Sequence, residues 1–242
     1  MIFKTNDVDI NYINYGKKGK NIILLHGWGQ NIEMMQPIGD FLSLENNVYI
    51  LDLPGHGRST EPTYAWQLID FVNALNEFIE KNKIKNPILV GHSFGGEIAL
   101  LYASMYEVEK LVLLDNPYRP IKKVGLKTKI LKLAKKIPGL NKFEEFAKKH
   151  MGSEEYRNAS KIMREILVNS VNSDITEDAK KVKAPTIIIW GTLDSAVPYS
   201  DGVYLESIMH DAGLITYEGC THYAYLERLD QTNNVIRTFI GG

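Results

Sequence analysis

The 242-residue sequence lacks the features of a secreted or membrane-spanning protein. Its one cysteine, Cys220, excludes an internal disulfide. No apolar run approaches the ~20 residues that cross a bilayer. The N-terminal sequence has neither the cationic start nor the apolar core of a signal peptide. These absences predict a soluble protein in a reducing, cytoplasmic location.

Charge and metal-binding motifs are equally sparse. The formal net charge of -1 provides no electrostatic attraction to nucleic acid. No P-loop or dinucleotide fingerprint is present, and the histidines do not form an H-E-x-x-H zinc motif. We therefore predict no nucleic-acid partner, no metal and no cofactor. The sequence carries no signal for an oligomeric state.

Short β-rich runs alternate with longer helical patterns. The runs lie at 8–15, 21–27, 47–53, 86–93, 109–115, 184–191 and 213–219. Most after the first are unbroken apolar segments, which are typical of strands covered on both faces. The helical patterns lie at 63–82, 95–106, 200–211 and 225–240. The alternation predicts an α/β fold with a doubly wound, mostly parallel sheet, whose ligands bind at the carboxyl ends of its strands.

A region without strands interrupts this alternation at 117–182. It contains helical patterns at roughly 120–137, 142–151 and 153–171. We interpret it as a helical insertion above the sheet, so that the core domain comprises residues 1–116 and 183–242.

The segment Gly91-His92-Ser93-Phe94-Gly95 fits G-x-S-x-G and lies between a predicted strand and a predicted helix. In such an elbow, a strained backbone raises the serine hydroxyl above the strand end, while Gly91 and Gly95 let helix and strand pack closely. The structural alternative is a tight strand-to-helix turn that contains a serine without a catalytic role. The motif makes Ser93 a candidate nucleophile.

A serine nucleophile needs a base, and the base needs an orienting carboxylate. Asp194 and His222 follow later predicted strands in the order serine, acid, histidine that this kind of elbow requires. Separately they are also explained by an Asx turn and a surface histidine. Together with Ser93 they predict a catalytic triad, with Asp115 as a rival acid.

An oxyanion hole requires two backbone N–H donors. Phe94 follows the candidate nucleophile, and Trp28 lies next to Gly27 in the glycine-containing loop 26–29, which follows the strand at 21–25. We predict the amides of Phe94 and Trp28 as the two donors. The alternative is a simple glycine-rich turn that buries a tryptophan.

The remaining histidines and the cysteine have structural explanations. His26, His56 and His92 each lie in a glycine-containing loop motif, so we predict structural or pocket-wall roles for them. Cys220 has no elbow around it, which favours packing over nucleophilic chemistry.

Five motifs, HGWG, DLPGHGRS, GHSFGG, GTLD and THYAYLE, occur in this order across nearly the whole chain. The sequence thereby resembles the α/β-hydrolase superfamily. The resemblance implies that the insertion is a cap covering the active site. It does not fix the substrate, because esterases, peptidases, C–C bond hydrolases and cofactor-free perhydrolases share these motifs. Dehalogenases and epoxide hydrolases of this fold have an aspartate nucleophile, so Ser93 argues against both.

The segment 119–149 is strongly basic, with eleven Lys or Arg residues and two Glu. A basic amphipathic helix could contact an anionic membrane or attract an anionic substrate. A solvated cap face with its apolar side over the pocket explains the pattern more simply.

The function that these features predict is a carboxylesterase acting on a small-molecule ester of a small to medium acyl group. A C–C hydrolase or perhydrolase would have the same triad. A ligand receptor without catalysis is an alternative of another class, against which the complete set of candidate residues argues.

Overall fold

The computed structural model describes residues 1–16, 18–120 and 159–241. Its strands are β1 (Ile2–Lys4), β2 (Asp9–Gly16), β3 (Asn21–Leu25), β4 (Asn47–Leu51), β5 (Ile88–His92), β6 (Lys110–Leu114), β7 (Thr186–Gly191) and β8 (Ala212–Tyr217). They form one sheet in the order β1-β2-β4-β3-β5-β6-β7-β8. Only the pairs β1–β2 and β2–β4 are antiparallel among these strands. The predicted mostly parallel sheet is confirmed, and β1 is an edge strand that the sequence pattern did not indicate.

Helices connect the strands. They are α1 (Ile32–Leu42), α2 (Leu68–Lys81), α3 (Phe94–Met105), α4 (Lys161–Val171), α5 (Thr176–Ala179), α6 (Tyr199–Ile208), α7 (Ala224–Glu227) and α8 (Leu229–Gly241). Helix α1 was not predicted: it contains Pro37, a residue that normally interrupts a helix interior. The pattern at 225–240 forms two helices, α7 and α8, which are separated at Arg228.

The sheet is covered on both faces, because successive side chains of a strand point to opposite sides. In β3, Ile22 and Leu24 belong to a buried cluster with residues of α1 and α8. Ile23 and Leu25 belong to the other cluster, with residues of α2 and α3. All four are almost completely buried. This two-sided burial explains the unbroken apolar sequence of the strand.

The strand register brings several carboxyl ends to one edge of the sheet. Leu25 of β3 pairs with Gly91 of β5, and His92 pairs with Leu114 of β6. Leu114 pairs in turn with Ile189 of β7. The loops that follow these strands therefore begin beside one another.

Among its described residues, the region 117–182 contains the helices α4 and α5 and no strand. Helix α4 begins at Lys161, later than the pattern at 153–171 indicates, because the Ser160 side chain accepts a hydrogen bond from the Met163 amide and caps the helix there. The patterns at 120–137 and 142–151, and the basic segment 119–149 beyond Pro120, lie outside the described residues.

Both sides of the insertion contact the core. Arg119 forms an ion pair with Asp201 of α6 at 2.7 Å. The buried side chain of Met163 lies against Gly55 in the loop after β4. The described residues on either side of the gap at 121–158 thus contact α6 and the loop after β4.

Glu97 of α3 is a buried carboxyl group between the core and α4. Its Oε2 accepts a hydrogen bond from Ser170 Oγ at 2.9 Å, and Ser173 is a second hydrogen-bonding neighbour. Burial raises the pKa of Glu97 to about 7, and the two serines offset only part of that cost.

None of the helices within the described ranges has both the length and the apolar character to cross a membrane.

The ionisation of Glu97 predicts a pH-dependent stability. Its pKa is about 7 in the folded state and 4.5 as the ordinary value. The folded chain therefore binds more protons between these values, and stability falls as pH rises from about 4.5 to 7. Glu97→Gln keeps an acceptor for Ser170 and removes the charge, so urea unfolding at pH 8 should show a gain of about 3 kcal/mol that is absent near pH 4.5.

Glu107→Gln is the matched control, because Glu107 is exposed just beyond the same helix. If Glu97→Gln raised the free energy of unfolding equally at both pH values, this would contradict the raised pKa of Glu97.

Candidate active site

Ser93 lies at the junction of β5 and α3 in a backbone conformation that is rare for serine. Its φ of 49° and ψ of -119° place it among the few residues other than glycine with positive φ in the described chain. The Ser93 amide donates to Leu114 O at 2.9 Å, which fixes the turn against the end of β6. Such a conformation typically costs 1–3 kcal/mol and persists only when its surroundings enforce it.

The glycines on either side of Ser93 are required by close approach. A Cβ atom on Gly91 would lie 2.4 Å from Gly95 O, and one on Gly95 would lie 2.4 Å from Leu25 O. The elbow therefore packs against its own helix and against the end of β3 at backbone distance. No side chain fits at either position.

The structure brings Ser93, His222 and Asp194 into one hydrogen-bonded chain. His222 Nε2 lies 2.9 Å from Ser93 Oγ, and His222 Nδ1 lies 2.7 Å from Asp194 Oδ2. The Asp194 side chain is fully buried, whereas that of His222 is 16% exposed. Since the carboxylate accepts from Nδ1–H, the imidazole presents its Nε2 lone pair to the serine hydroxyl.

The Asp194 carboxylate is held by its own loop. Its Oδ1 accepts hydrogen bonds from the amides of Ala196 at 2.7 Å and Val197 at 2.9 Å. The neighbouring amide of Leu193 donates to Cys220 O at 2.8 Å, which connects this loop to the one that carries His222. The remaining oxygen, Oδ2, thus faces the imidazole from a fixed position.

Asp115, the rival acid, lies at the end of β6 and contacts a different partner. Its Oδ1 accepts a hydrogen bond from the Gly191 amide at 2.9 Å, and its Oδ2 is buried with no partner. Burial and the nearby charge of Asp194 raise the pKa of Asp115 to about 9, although the Gly191 bond opposes the shift. Asp115 is therefore neutral at pH 7, and the carboxylate that contacts His222 Nδ1 is that of Asp194.

The two residues predicted as oxyanion donors adjoin each other above the elbow. The rings of Trp28 and Phe94 meet edge to face with centroids 5.4 Å apart. The turn at Trp28 is stabilised by a hydrogen bond in which the Gly27 amide donates to Gln30 Oε1 at 2.9 Å. A Cβ atom on Gly27 would lie 2.9 Å from His92 Nδ1, so glycine leaves room for that ring.

Buried, neutral histidines surround the turn. The Leu53 amide donates to His26 Nε2 at 2.9 Å, and His26 Nδ1 donates to Gly27 O at 2.7 Å. Burial lowers the pKa of His26 to about 3, so both bonds are those of the neutral ring. The His56 ring lies edge to face against Trp28 at 4.8 Å. Both histidines thus have loop or ring contacts in the described structure.

The loop DLPGHGRS is braced by its aspartate. Asp52 Oδ1 accepts a hydrogen bond from the amide of Ile32, the first residue of α1, at 2.8 Å. Its Oδ2 accepts from the Arg58 amide and from Asn11 Nδ2, each at 2.8 Å.

Cys220 is buried, and its Sγ lies 3.2 Å from Arg228 Nε.

His92 contacts the base in a way that the sequence pattern did not reveal. Its Nε2 lies 2.9 Å from His222 O, and its Nδ1 lies 3.2 Å from Gln30 Oε1. Gln30 was not singled out either. The available signal was the position of His92 directly before Ser93, but only the fold brings residues 30 and 222 to it.

No group of three or more His, Cys, Asp or Glu side chains is arranged to hold a metal ion in the part of the chain that the structure describes.

Comparison with known proteins gives a family match. A model of the alpha/beta hydrolase family matches residues 22–235. The chain is 24% identical over 248 residues to a pimeloyl-(acyl-carrier protein) methyl ester esterase from Aliivibrio fischeri, covering 92% of this chain and 94% of the relative. It is 34% identical over 104 residues to a probable serine hydrolase from Drosophila melanogaster, but this match covers 41% of the chain and only 31% of that longer protein.

A solved structure with a similar fold is the enol-lactonase from Burkholderia xenovorans. The TM-score is 0.79 with 18% sequence identity, and the match covers 100% of both chains. At this identity the likeness shows a common fold.

The strain at Ser93 is measurable as stability. Ser93→Ala and Ser93→Gly both remove the hydroxyl, but only glycine tolerates positive φ without a steric cost. We expect Ser93→Gly to be more stable than Ser93→Ala by about 1–2 kcal/mol in urea unfolding. Equal stabilities would mean that the elbow carries no strain.

Proposed function

The chain belongs to the alpha/beta hydrolase family, and from this premise we propose that it is a serine hydrolase that cleaves carboxylic esters of small to medium acyl groups. The observation that carries the proposal is the hydrogen-bonded chain from Ser93 Oγ through His222 to Asp194. A serine hydroxyl needs such a base to become nucleophilic at neutral pH. The relative from Aliivibrio fischeri, a methyl ester esterase by name, supports the choice of an ester.

In the first half of the reaction, Ser93 Oγ attacks the ester carbonyl carbon and His222 Nε2 takes the hydroxyl proton. Asp194 accepts the Nδ1–H bond and stabilises the imidazolium that forms. The carbonyl oxygen becomes an oxyanion, for which the amides of Trp28 and Phe94 are the proposed donors. His222 then gives its proton to the departing alkoxide, which leaves as the alcohol.

In the second half, a water molecule takes the place of the alcohol. His222 Nε2 removes a proton from this water as its oxygen attacks the acyl-enzyme carbonyl. Collapse of the second tetrahedral intermediate returns the proton to Ser93 Oγ and releases the carboxylic acid. Atoms and protons balance with water as the only co-reactant, so the reaction needs no cofactor.

We further propose that residues 117–182 form a cap over this site on a core of residues 1–116 and 183–242. Two contacts support the placement: Met163 of α4 lies against Gly55, and Arg119 pairs with Asp201. Two hydrophobic residues that adjoin Asp194 and His222 in the chain are exposed, namely Leu193 at 63% and Tyr223 at 42%. An apolar acyl group or leaving group fits such a rim better than a charged one.

The reaction is tested with a fluorophosphonate probe and a series of aryl esters of increasing acyl length. The wild type should be labelled and should hydrolyse the short and medium esters. Ser93→Ala should lose labelling and lower kcat by about 10⁴-fold or more, while its circular dichroism stays unchanged.

Undiminished labelling of Ser93→Ala would contradict the nucleophile. A wild type that turns over a diketone, or peroxide with a carboxylic acid, far better than any ester would replace the ester assignment. Binding of esters without any turnover would favour a receptor.

The acid is tested by a pair of isosteric substitutions. Asp194→Asn leaves the Ala196 and Val197 bonds but no longer stabilises imidazolium, so kcat should fall by about 10⁴-fold. Asp115→Asn preserves an acceptor for the Gly191 amide and replaces a group that is already neutral, so kcat should stay within about threefold. Rates are measured on the best ester at pH 7.5, and a larger loss in Asp115→Asn would reverse the assignment.

A further inference from the structure

His92 is completely buried beside the proposed base, and its position constrains its proton. Burial, together with the neighbouring His222, lowers the pKa of His92 well below its ordinary value. The ring is therefore neutral and carries one N–H. The carbonyl oxygen of His222, 2.9 Å from Nε2, can only accept, so the proton is on Nε2 and is donated to that carbonyl.

The carbonyl that receives this proton belongs to the loop that carries the base. Other carbonyls of the loop have donors from elsewhere in the chain: Arg228 Nη2 donates to Glu218 O at 2.9 Å, and the Leu193 amide donates to Cys220 O at 2.8 Å. His92 is the corresponding donor at the position of the base itself. The main chain at His222 is thus anchored to the residue that precedes the nucleophile.

The opposite edge of the His92 ring faces the predicted oxyanion turn. Nδ1, which carries no proton in this tautomer, lies 3.2 Å from Gln30 Oε1 without a hydrogen bond, and that oxygen accepts the Gly27 amide. The ring is packed between aromatic neighbours, with its centroid 4.6 Å from that of Tyr225 and 5.6 Å from that of Tyr223. One rigid side chain therefore contacts the loops of both proposed catalytic elements.

We propose that His92 is a positioning residue that holds the main chain of His222 in register with Ser93. The inference rests on the proposed serine-hydrolase function. Orientation of this kind acts on the chemical step, because a misplacement of about 1 Å at reacting groups can cost on the order of 100-fold in rate. Loss of this orientation should leave ground-state binding of the ester little changed.

The test compares two replacements of the imidazole. His92→Phe keeps an aromatic ring in the packed site but has no donor for His222 O. His92→Gln has an amide nitrogen at the same number of bonds from Cβ as Nε2, so it can donate to that oxygen. We expect kcat of His92→Phe on the best ester to fall 10–100-fold with KM within about twofold, and His92→Gln to recover most of the loss.

Tyr225→Phe is the matched control, because the Tyr225 ring packs on the His92 ring. The Tyr225 hydroxyl, which this substitution removes, donates a hydrogen bond to Met34 O at 3.4 Å. The substitution should leave kcat unchanged. If His92→Phe does not fold, His92→Asn takes its place, since its shorter amide does not reach His222 O. Thermal unfolding of each variant is measured alongside the kinetics.

The outcomes separate the two proposals. A wild type without fluorophosphonate labelling or ester turnover overturns the serine-hydrolase function, whatever the variants do. An active wild type with a His92→Phe variant within threefold of its kcat overturns the positioning role. So does a His92→Gln variant as slow as His92→Phe, or a rise in KM with unchanged kcat. Loss in His92→Phe with recovery in His92→Gln supports it.

Discussion

The strand-to-helix turn at Ser93 is the constraint on which the rest of the site depends. The sheet delivers β5 to the edge where β3, β6 and β7 also end, and α3 must leave at backbone distance from β3. Only a turn with positive φ at Ser93, between two positions that admit no Cβ, meets both demands. The same turn directs the serine hydroxyl to His222, and Ser93 is the N-cap residue of α3, at the positive end of the helix dipole. Folding and the proposed chemistry thus depend on one local conformation.

Three buried carboxyl groups near this turn have different surroundings, and the surroundings determine what each can do. Asp194 accepts two amide hydrogen bonds and faces an imidazole. Asp115 has one amide partner and an oxygen without any, and its pKa is raised to about 9. Glu97 has serine hydroxyls and an intermediate pKa of about 7. All three side chains end in a carboxyl group and all three residues are buried. The supply of hydrogen-bond donors and the neighbouring charges differ, and these decide which carboxyl can orient a base at neutral pH.

The histidines likewise differ in what their surroundings let them do. His26 and His92 are fully buried, and their lowered pKa values make them neutral polar side chains with fixed hydrogen-bond directions. Each connects loops that are far apart in sequence: His26 reaches Leu53, and His92 reaches His222. His222 alone among these three is partly exposed and in contact with a hydroxyl. The buried imidazoles therefore fix the loops around one partly exposed imidazole, that of the proposed base His222.

The sequence by itself determined the fold class, since unbroken apolar runs alternating with amphipathic segments are a local record of strands covered on both faces. It also indicated Ser93, Asp194 and His222, because each follows a strand within a short motif. It did not reveal β1 or α1, whose patterns are too short or are interrupted by Pro37. The partner of His222 and the contacts of His92 and Gln30 were decided only by the tertiary structure. Asp115 and Asp194 both follow strands that end at the same edge of the sheet. Which of the two carboxyl groups contacts His222 depends on the strand register and on the paths of the loops, and no local sequence pattern encodes these.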